Sequence, residues 1–359
     1  MTMKSGTERG GAVRAGVARR LLWARGAGAE MGLTQGPLAA QPPRTYYSYP
    51  AMKEPHWGPE VILYFFTGGV AAGAYLVATL AHLFGGPEDR SVARAGRYLA
   101  LGAIAASPLL LIADLGQPRR WRNMLRILKT RSPMSTGSWG LSGLGLFAGL
   151  AAARQAVEDG LIPRRSWLAR TVARVPLEAS GLLGTLAGFF VGSYTGVLLS
   201  FTNVPVWAKS RLLMGPLYLT SALSTGLAAI SAALAASGPV GEGTRRWLGR
   251  ASDAAGVAEA GLAAGTVASL GPQARPLTRG RYALPFWAGT LGLGLALPLL
   301  LRRNLARVPS REVRLRLAGA GASVLLGGLL VRWATVMAGR ESARRPEAYL
   351  ALTQGRRGN

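Results

Sequence analysis

The stretch GPEVILYFFTGGVAAGAYLVATLAHLF, residues 58–84, decides the fold. Apart from Glu60 near one end and His82 near the other, it holds no acidic or basic side chain. A helix of this length covers the ~30 Å of hydrocarbon in a bilayer at ~1.5 Å per residue. Apolar runs of similar length recur near 96–114, 136–155, 178–202, 212–236, 253–270, 284–301 and 317–338. The sixth run of the eight, DAAGVAEAGLAAGTVASL, is the least hydrophobic, and the seventh is short. Short loops crowded with arginine separate them. The protein therefore reads as an all-α, polytopic membrane protein of about eight transmembrane helices. Its 49 glycines suit the close helix contacts of a membrane bundle.

The formal charge of +26 on 359 residues raises nucleic acid as a partner. The arginines lie in loops between apolar runs, however, where they meet anionic lipid headgroups and set topology. Membrane lipids are thus expected as partners, and nucleic acid is not. Cysteine is absent, so the protein offers no disulfide, no thiolate metal site and no iron–sulfur ligation of its own. The two histidines, His56 and His82, would stand ~39 Å apart along one helix and cannot share a haem iron. No P-loop or dinucleotide fingerprint is present, and no metal site is expected.

Eight spans place both termini on one side, the terminal face, together with loops 115–135, 203–211 and 271–283. The loops at 85–95, 156–177, 237–252 and 302–316 lie opposite and carry more Lys and Arg, which makes the opposite face cytoplasmic. The basic tails pull the other way. Residues 1–55 form an extramembrane tail, expected to be partly disordered, with Met31 as an alternative start and an ARR at 18–20 that faintly resembles an export signal. Its segment 45–57 collects Tyr46, Tyr47, Tyr49 and Trp57, either as an interfacial aromatic belt or as a docking strip for a partner.

Acids inside a membrane are costly and point to function. Glu60 opens the first span and Asp114 closes the second, so both lie near the terminal face, with Tyr194 of the fourth span at about the same depth. Glu178 and Asp253 start the fourth and sixth spans at the opposite face, where a helix N-terminus favours a carboxylate, or where a proton path begins. Glu259 lies deeper, and Arg332 of the eighth span is its expected partner. Asp114 sits beside Arg119 and Arg120 in LLLIADLGQPRRW, residues 109–121, which offers it a local salt bridge as well as a functional role.

Four motifs in order carry a resemblance: KEPHWGPEVILYFFTGGVAAGAYLV, DLGQPRRW, SPMSTGSW at 132–139 and GSYTGVLLSFTNVPVWA at 192–208. Over residues 45–215 the sequence resembles the membrane subunit of polysulfide reductase and its NrfD-like relatives, and it does so more weakly as far as VRWATVMAGRES. The resemblance implies two four-helix bundles, 56–205 with the quinone site and 206–340 behind it, then a C-terminal tail at 341–359. It implies a membrane-anchor subunit that exchanges electrons between menaquinol or quinone, a diffusible substrate, and a ferredoxin-like iron–sulfur subunit. A molybdopterin-type catalytic subunit commonly stands behind that partner, and no haem or iron–sulfur cluster is expected in this protein itself.

The quinone site would lie near the non-cytoplasmic face of a prokaryotic cytoplasmic membrane. Tyr194 matches the family's quinone-contacting tyrosine and Asp114 the acid of its DLG motif. Glu60 stands where the polysulfide reductase membrane subunit uses a histidine, which leaves the proton acceptor open. Trp57 and Tyr64 are candidates for the ring slot, and Glu178, Asp253, Glu259 and Arg332 for a proton path. A solute transporter that uses the buried acids and a purely structural anchor are the competing readings.

Overall fold

Proline and glycine set the ends of the long apolar runs. Gly58 in extended backbone and Pro59 at the first helical position open α1, Pro59–Phe84. The N–H that proline lacks is one the first turn would leave unpaired anyway. Gly85, extended, closes it. The structure is a computed structural model and describes residues 52–345, except the side chains of Leu177, Glu178 and Ala306. Tyr46, Tyr47, Tyr49, the arginine pair at 19–20, Met31 and most of the C-terminal tail lie outside the described residues.

Seven more long helices follow. They are α2 Arg90–Asp114, α3 Pro133–Glu158, α4 Leu177–Ser200, α5 Arg211–Ser237, α6 Glu242–Leu270, α7 Ala283–Arg302 and α8 Ser310–Ala343. No strand occurs among the described residues. All but α3 are apolar enough over 18 residues to qualify as candidate membrane spans. The Gly- and Ser-rich α3 matches them in length, at 26 residues. The protein is a multi-pass, all-α membrane protein.

The observed helices run further than the apolar runs. α6 begins at Glu242 rather than 253, and α2 and α8 also begin ahead of their hydrophobic cores. Hydropathy marks the hydrocarbon crossing, whereas these Arg-rich first turns are helical in the headgroup layer. Asp253 accordingly lies about three turns inside α6, which removes its reading as a first-turn carboxylate. Glu178 does fall in the first turn of α4. α7 departs from α-geometry between Ala288 and Ala296, AGTLGLGLA, which winds as a π-helix.

Each helix packs on its neighbours in two rings, α1–α2–α3–α4 and α5–α6–α7–α8. The rings share a broad seam in which α5 touches α1, α2 and α4, and α8 touches α1. Glycine makes the seam close. A Cβ on Gly73 of α1 would collide with the backbone of α5 at Ala222, and one on Gly226 with the backbone at Gly73. Dispersion at such short backbone separation holds membrane helices where lipid removes the usual hydrophobic drive.

Candidate functional site

Glu60 and Tyr64 stand one turn apart on the same face of α1. Asp114, the last residue of α2, lies within electrostatic reach of Glu60 and of His56. Tyr64 is in the same reach of Tyr194, two turns before the end of α4. Four of the five residues expected at the site therefore form a chain of neighbours, Asp114–Glu60–Tyr64–Tyr194. It is graded by depth. The tyrosines are 8% and 7% exposed, while both carboxylates are half-buried and lie ~6 Å nearer the helix ends.

Neither carboxylate has a basic partner within 4 Å among the described residues. The salt bridge offered to Asp114 by Arg119 or Arg120 does not form. Those arginines are exposed in a 3₁₀ turn, Pro118–Arg120, beyond the extended Leu115 that ends the helix.

Tyr194 is positioned from α3. Its hydroxyl donates to the Pro133 carbonyl at the start of that helix. Ser132 caps the same end, its side chain accepting from Ser135 N–H at 3.5 Å. The Tyr194 ring stacks on Phe190 at 5.4 Å and 30°. Gly137 and Gly140, one turn apart on α3, leave the space these two rings occupy, and a Cβ on either would strike its ring. The motif SPMSTGSW thus builds a helix cap and a glycine face that hold the tyrosine.

Trp57 is occupied elsewhere. It stacks on Trp207 at 5.1 Å and 13° and meets Phe65 edge-on at 5.9 Å. Trp207 in turn donates its indole N–H to the Thr335 carbonyl of α8. The Trp57 carbonyl accepts from Arg340 at 3.3 Å, and Glu54 accepts from Arg340 and Arg344 at 3.0 and 2.7 Å. The segment before α1 is therefore strapped to the end of α8, with Trp57 packed into that contact. Hydrogen bonds from Arg344, with Arg340 adding to them, hold the Glu54 carboxyl below its usual range against the opposing effect of burial.

The deeper acids behave differently. Glu259 is 5% exposed and Arg332 1% exposed, and each lies within electrostatic reach of the other. The expected direct ion pair is not made. Arg332 instead donates to Ser221 Oγ and to the Gly328 carbonyl at 2.9 Å, and to the Phe65 carbonyl at 3.3 Å. Ser221 and Ser224 of α5 lie beside the Glu259 carboxyl. Side chains from α6 and α8 thus meet across the ring through a serine of α5, and the network reaches α1 one residue from Tyr64. Asp253 pairs with Arg302 of α7 at 2.5 Å.

One residue that gave no sign in the sequence is Asp89, in the turn between α1 and α2. Its Oδ1 accepts from Thr244 Oγ1 and Trp247 Nε1, both at 2.7 Å, and so pins the first turns of α6. Burial pushes the Asp89 carboxyl up, but these bonds and one from Gly86 N–H outweigh it and hold the carboxyl low. GGPED is a common turn composition and carries no local mark of this contact. Among the described residues no group of three or more His, Cys, Asp or Glu is placed to hold a metal ion.

A family described as polysulphide reductase, NrfD, matches residues 49–342. A polysulfide reductase polypeptide of Wolinella succinogenes is 27% identical over 293 residues, covering 68% of this sequence and 82% of that protein. Protein NrfD of Escherichia coli K12 is 26% identical over 312 residues, covering 79% and 95%. A selenate reductase polypeptide of Mesobacillus selenatarsenatis is 27% identical over 84 residues, covering 23% and 19%. The family match takes in all eight long helices and the four residues at the mouth of the first ring, and this protein belongs to the polysulphide reductase NrfD family.

Proposed function

We propose that this protein is the membrane subunit of a respiratory oxidoreductase, exchanging electrons between menaquinol or a related quinone and a ferredoxin-like iron–sulfur subunit docked on its terminal face. The observation that carries the reading is the carboxylate pair, Glu60 and Asp114, which makes no ion pair among the described residues and lies just outside the buried tyrosines Tyr64 and Tyr194. Relatives named as parts of polysulfide and selenate reductases support an oxidoreductase complex. A molybdopterin-type catalytic subunit behind the iron–sulfur protein belongs to the same reading.

Quinol oxidation releases two electrons and two protons. Glu60 and Asp114 accept the protons at the mouth, where half-exposure lets each pass its proton to water. Tyr194 has committed its single O–H to the Pro133 carbonyl. Its lone pairs accept from a quinol hydroxyl, whereas holding a quinone carbonyl would break the bond to Pro133. This favours quinol as the bound form and oxidation as the direction. Tyr64 supplies a second hydroxyl one turn below Glu60. With no cysteine and two distant histidines, the protein passes the electrons to its partner. The Lys and Arg of the loops support a site on the non-cytoplasmic side of a prokaryotic cytoplasmic membrane, with the protons released there.

The network Glu259–Ser221–Arg332, with Asp253 nearer the opposite face and Glu178 at the start of α4, supplies polar groups for a proton path across the membrane. Its contact with the Phe65 carbonyl favours that extension. Glu259→Gln would then abolish proton translocation and leave quinol turnover intact.

Affinity purification from the native membrane tests the main reading. A co-purifying iron–sulfur protein and oxidation of a menaquinol analogue are expected. The protein purified alone and inert toward quinols would contradict it, and solute uptake by proteoliposomes would favour a transporter. Normal quinol turnover by an assembled Tyr194→Phe, Glu60→Gln variant would leave only a structural anchor.

A further inference from the structure

A cavity of about 380 Å³ opens between α5, α6, α7 and α8, at the opposite face from the acid–tyrosine site. Arginine crowds its outer part, with Arg245, Arg246 and Arg250 from the first turns of α6 and Arg302 from the end of α7. The two lining acids are already neutralised, since Glu242 pairs with Arg246 at 3.3 Å and Asp253 with Arg302 at 2.5 Å. Arg245 and Arg250 have no ion pair among the described residues, so the lining keeps two positive charges. Arg302 Nε is also buried with no hydrogen-bond partner. A buried donor left unsatisfied is costly, and a small shift of this lining side chain would bring it to an acceptor in the cavity.

The inner part has the opposite character. Leu234 of α5 and Leu317 and Val324 of α8 wall it. Val324 lies ~21 Å along α8 from its start, and Ala228 ~14 Å from the end of α5. The cavity therefore runs from a cationic rim at the helix ends, the headgroup level, to an apolar wall at the acyl level.

We propose that this cavity seats an anionic phospholipid, with its phosphate among Arg245, Arg250 and Arg302 and an acyl chain against Leu317 and Val324. A phosphodiester supplies the acceptor that Arg302 Nε lacks and the negative charge that the rim leaves uncompensated. Basic pockets between transmembrane helices are suited to such headgroups. A free anion would satisfy the rim but leave the apolar wall empty, and a neutral quinone would fill the wall but leave the arginines unmatched.

The test uses the complex reconstituted in nanodiscs of phosphatidylcholine, with or without phosphatidylglycerol, followed by detergent washing and native mass spectrometry. Wild type is expected to retain phosphatidylglycerol in preference to phosphatidylcholine. The Arg245→Gln, Arg250→Gln variant is expected to hold it about thirty-fold more weakly. An Arg311→Gln, Arg314→Gln variant removes equal charge from the exposed start of α8, off the cavity, and should retain it as wild type does. Equal retention of the two lipids, equal loss in both double variants, displacement by millimolar inorganic phosphate or a retained quinone in place of lipid would each overturn the proposal.

Discussion

Two acid settings in this molecule differ in almost every respect. Glu60 and Asp114 sit at the ends of α1 and α2, half-exposed, close to each other, near His56 and without an ion pair among the described residues. Glu259 lies deep in the second ring, where Arg332 and two serines surround it. A carboxylate that meets water and no cation can bind and release protons as its surroundings change. One held in a buried polar network also supports the packing, because breaking a buried pair leaves an uncompensated charge in a dry setting. We therefore assign proton exchange with quinol to the first ring, and to the second ring the task of holding α1 in register while offering polar groups for the proposed proton path.

The largest expected effect falls on the second setting. Arg332→Gln removes donors from Ser221, Gly328 and Phe65 together and leaves Glu259 facing no cation. It should destabilise the protein by ~3–5 kcal/mol, read as thermal unfolding in detergent. Adding Glu259→Gln should recover part of that loss, and strictly additive effects would show that the two residues do not interact.

Gly137→Ala sharpens the first setting. The added Cβ meets the Tyr194 ring, so a cost of ~1–3 kcal/mol is expected together with reduced quinol turnover. An Ala variant with wild-type turnover would separate the tyrosine from the chemistry. Tyr194→Phe loses the bond to the Pro133 carbonyl, about 0.5–1.5 kcal/mol, together with the contact to Gly137 N–H, and its larger effect should appear as weaker binding of a quinol analogue in a titration.

The smallest effect concerns the strap at Glu54. Its partly exposed bonds to Arg340 and Arg344 contribute up to ~1 kcal/mol. Because the folded carboxyl titrates below its ordinary 4.5, that contribution is complete above 4.5 and disappears as pH falls through the lowered value. Glu54→Gln should remove this part of the acid sensitivity. A Gln variant with an unchanged stability profile below pH 4.5 would contradict the strap's role.

Much of this architecture was legible in the sequence because the bilayer leaves few options. An apolar run long enough to cross must be a helix, so the seven candidate spans were legible, with Pro59 and Gly58 marking the first, and the less apolar α3 is a helix of the same length. Helix starts were not legible where arginine-rich turns precede the apolar run, as in α6, since hydropathy senses lipid rather than backbone. The π-helical turn of α7 left no periodic signature. At the site, span direction alone led to the expectation that Glu60, Asp114 and Tyr194 share one end of the bundle, whereas the grading that puts the tyrosines inside the carboxylates did not show in the sequence. The fate of Trp57 did not, because its partner Trp207 lies far along the sequence and only the fold brings the two rings together. Asp89 escaped notice for the same reason.

The most direct test compares two conservative variants of the assembled complex, Glu60→Gln with Asp114→Asn against Glu259→Gln, in the rate of menaquinol-analogue oxidation. The first should lose about a hundredfold or more in turnover while its unfolding temperature stays close to wild type. The second should keep its turnover. Equal turnover in both, or a loss confined to Glu259→Gln, would contradict the assignment of quinol chemistry to the acid pair of the first ring.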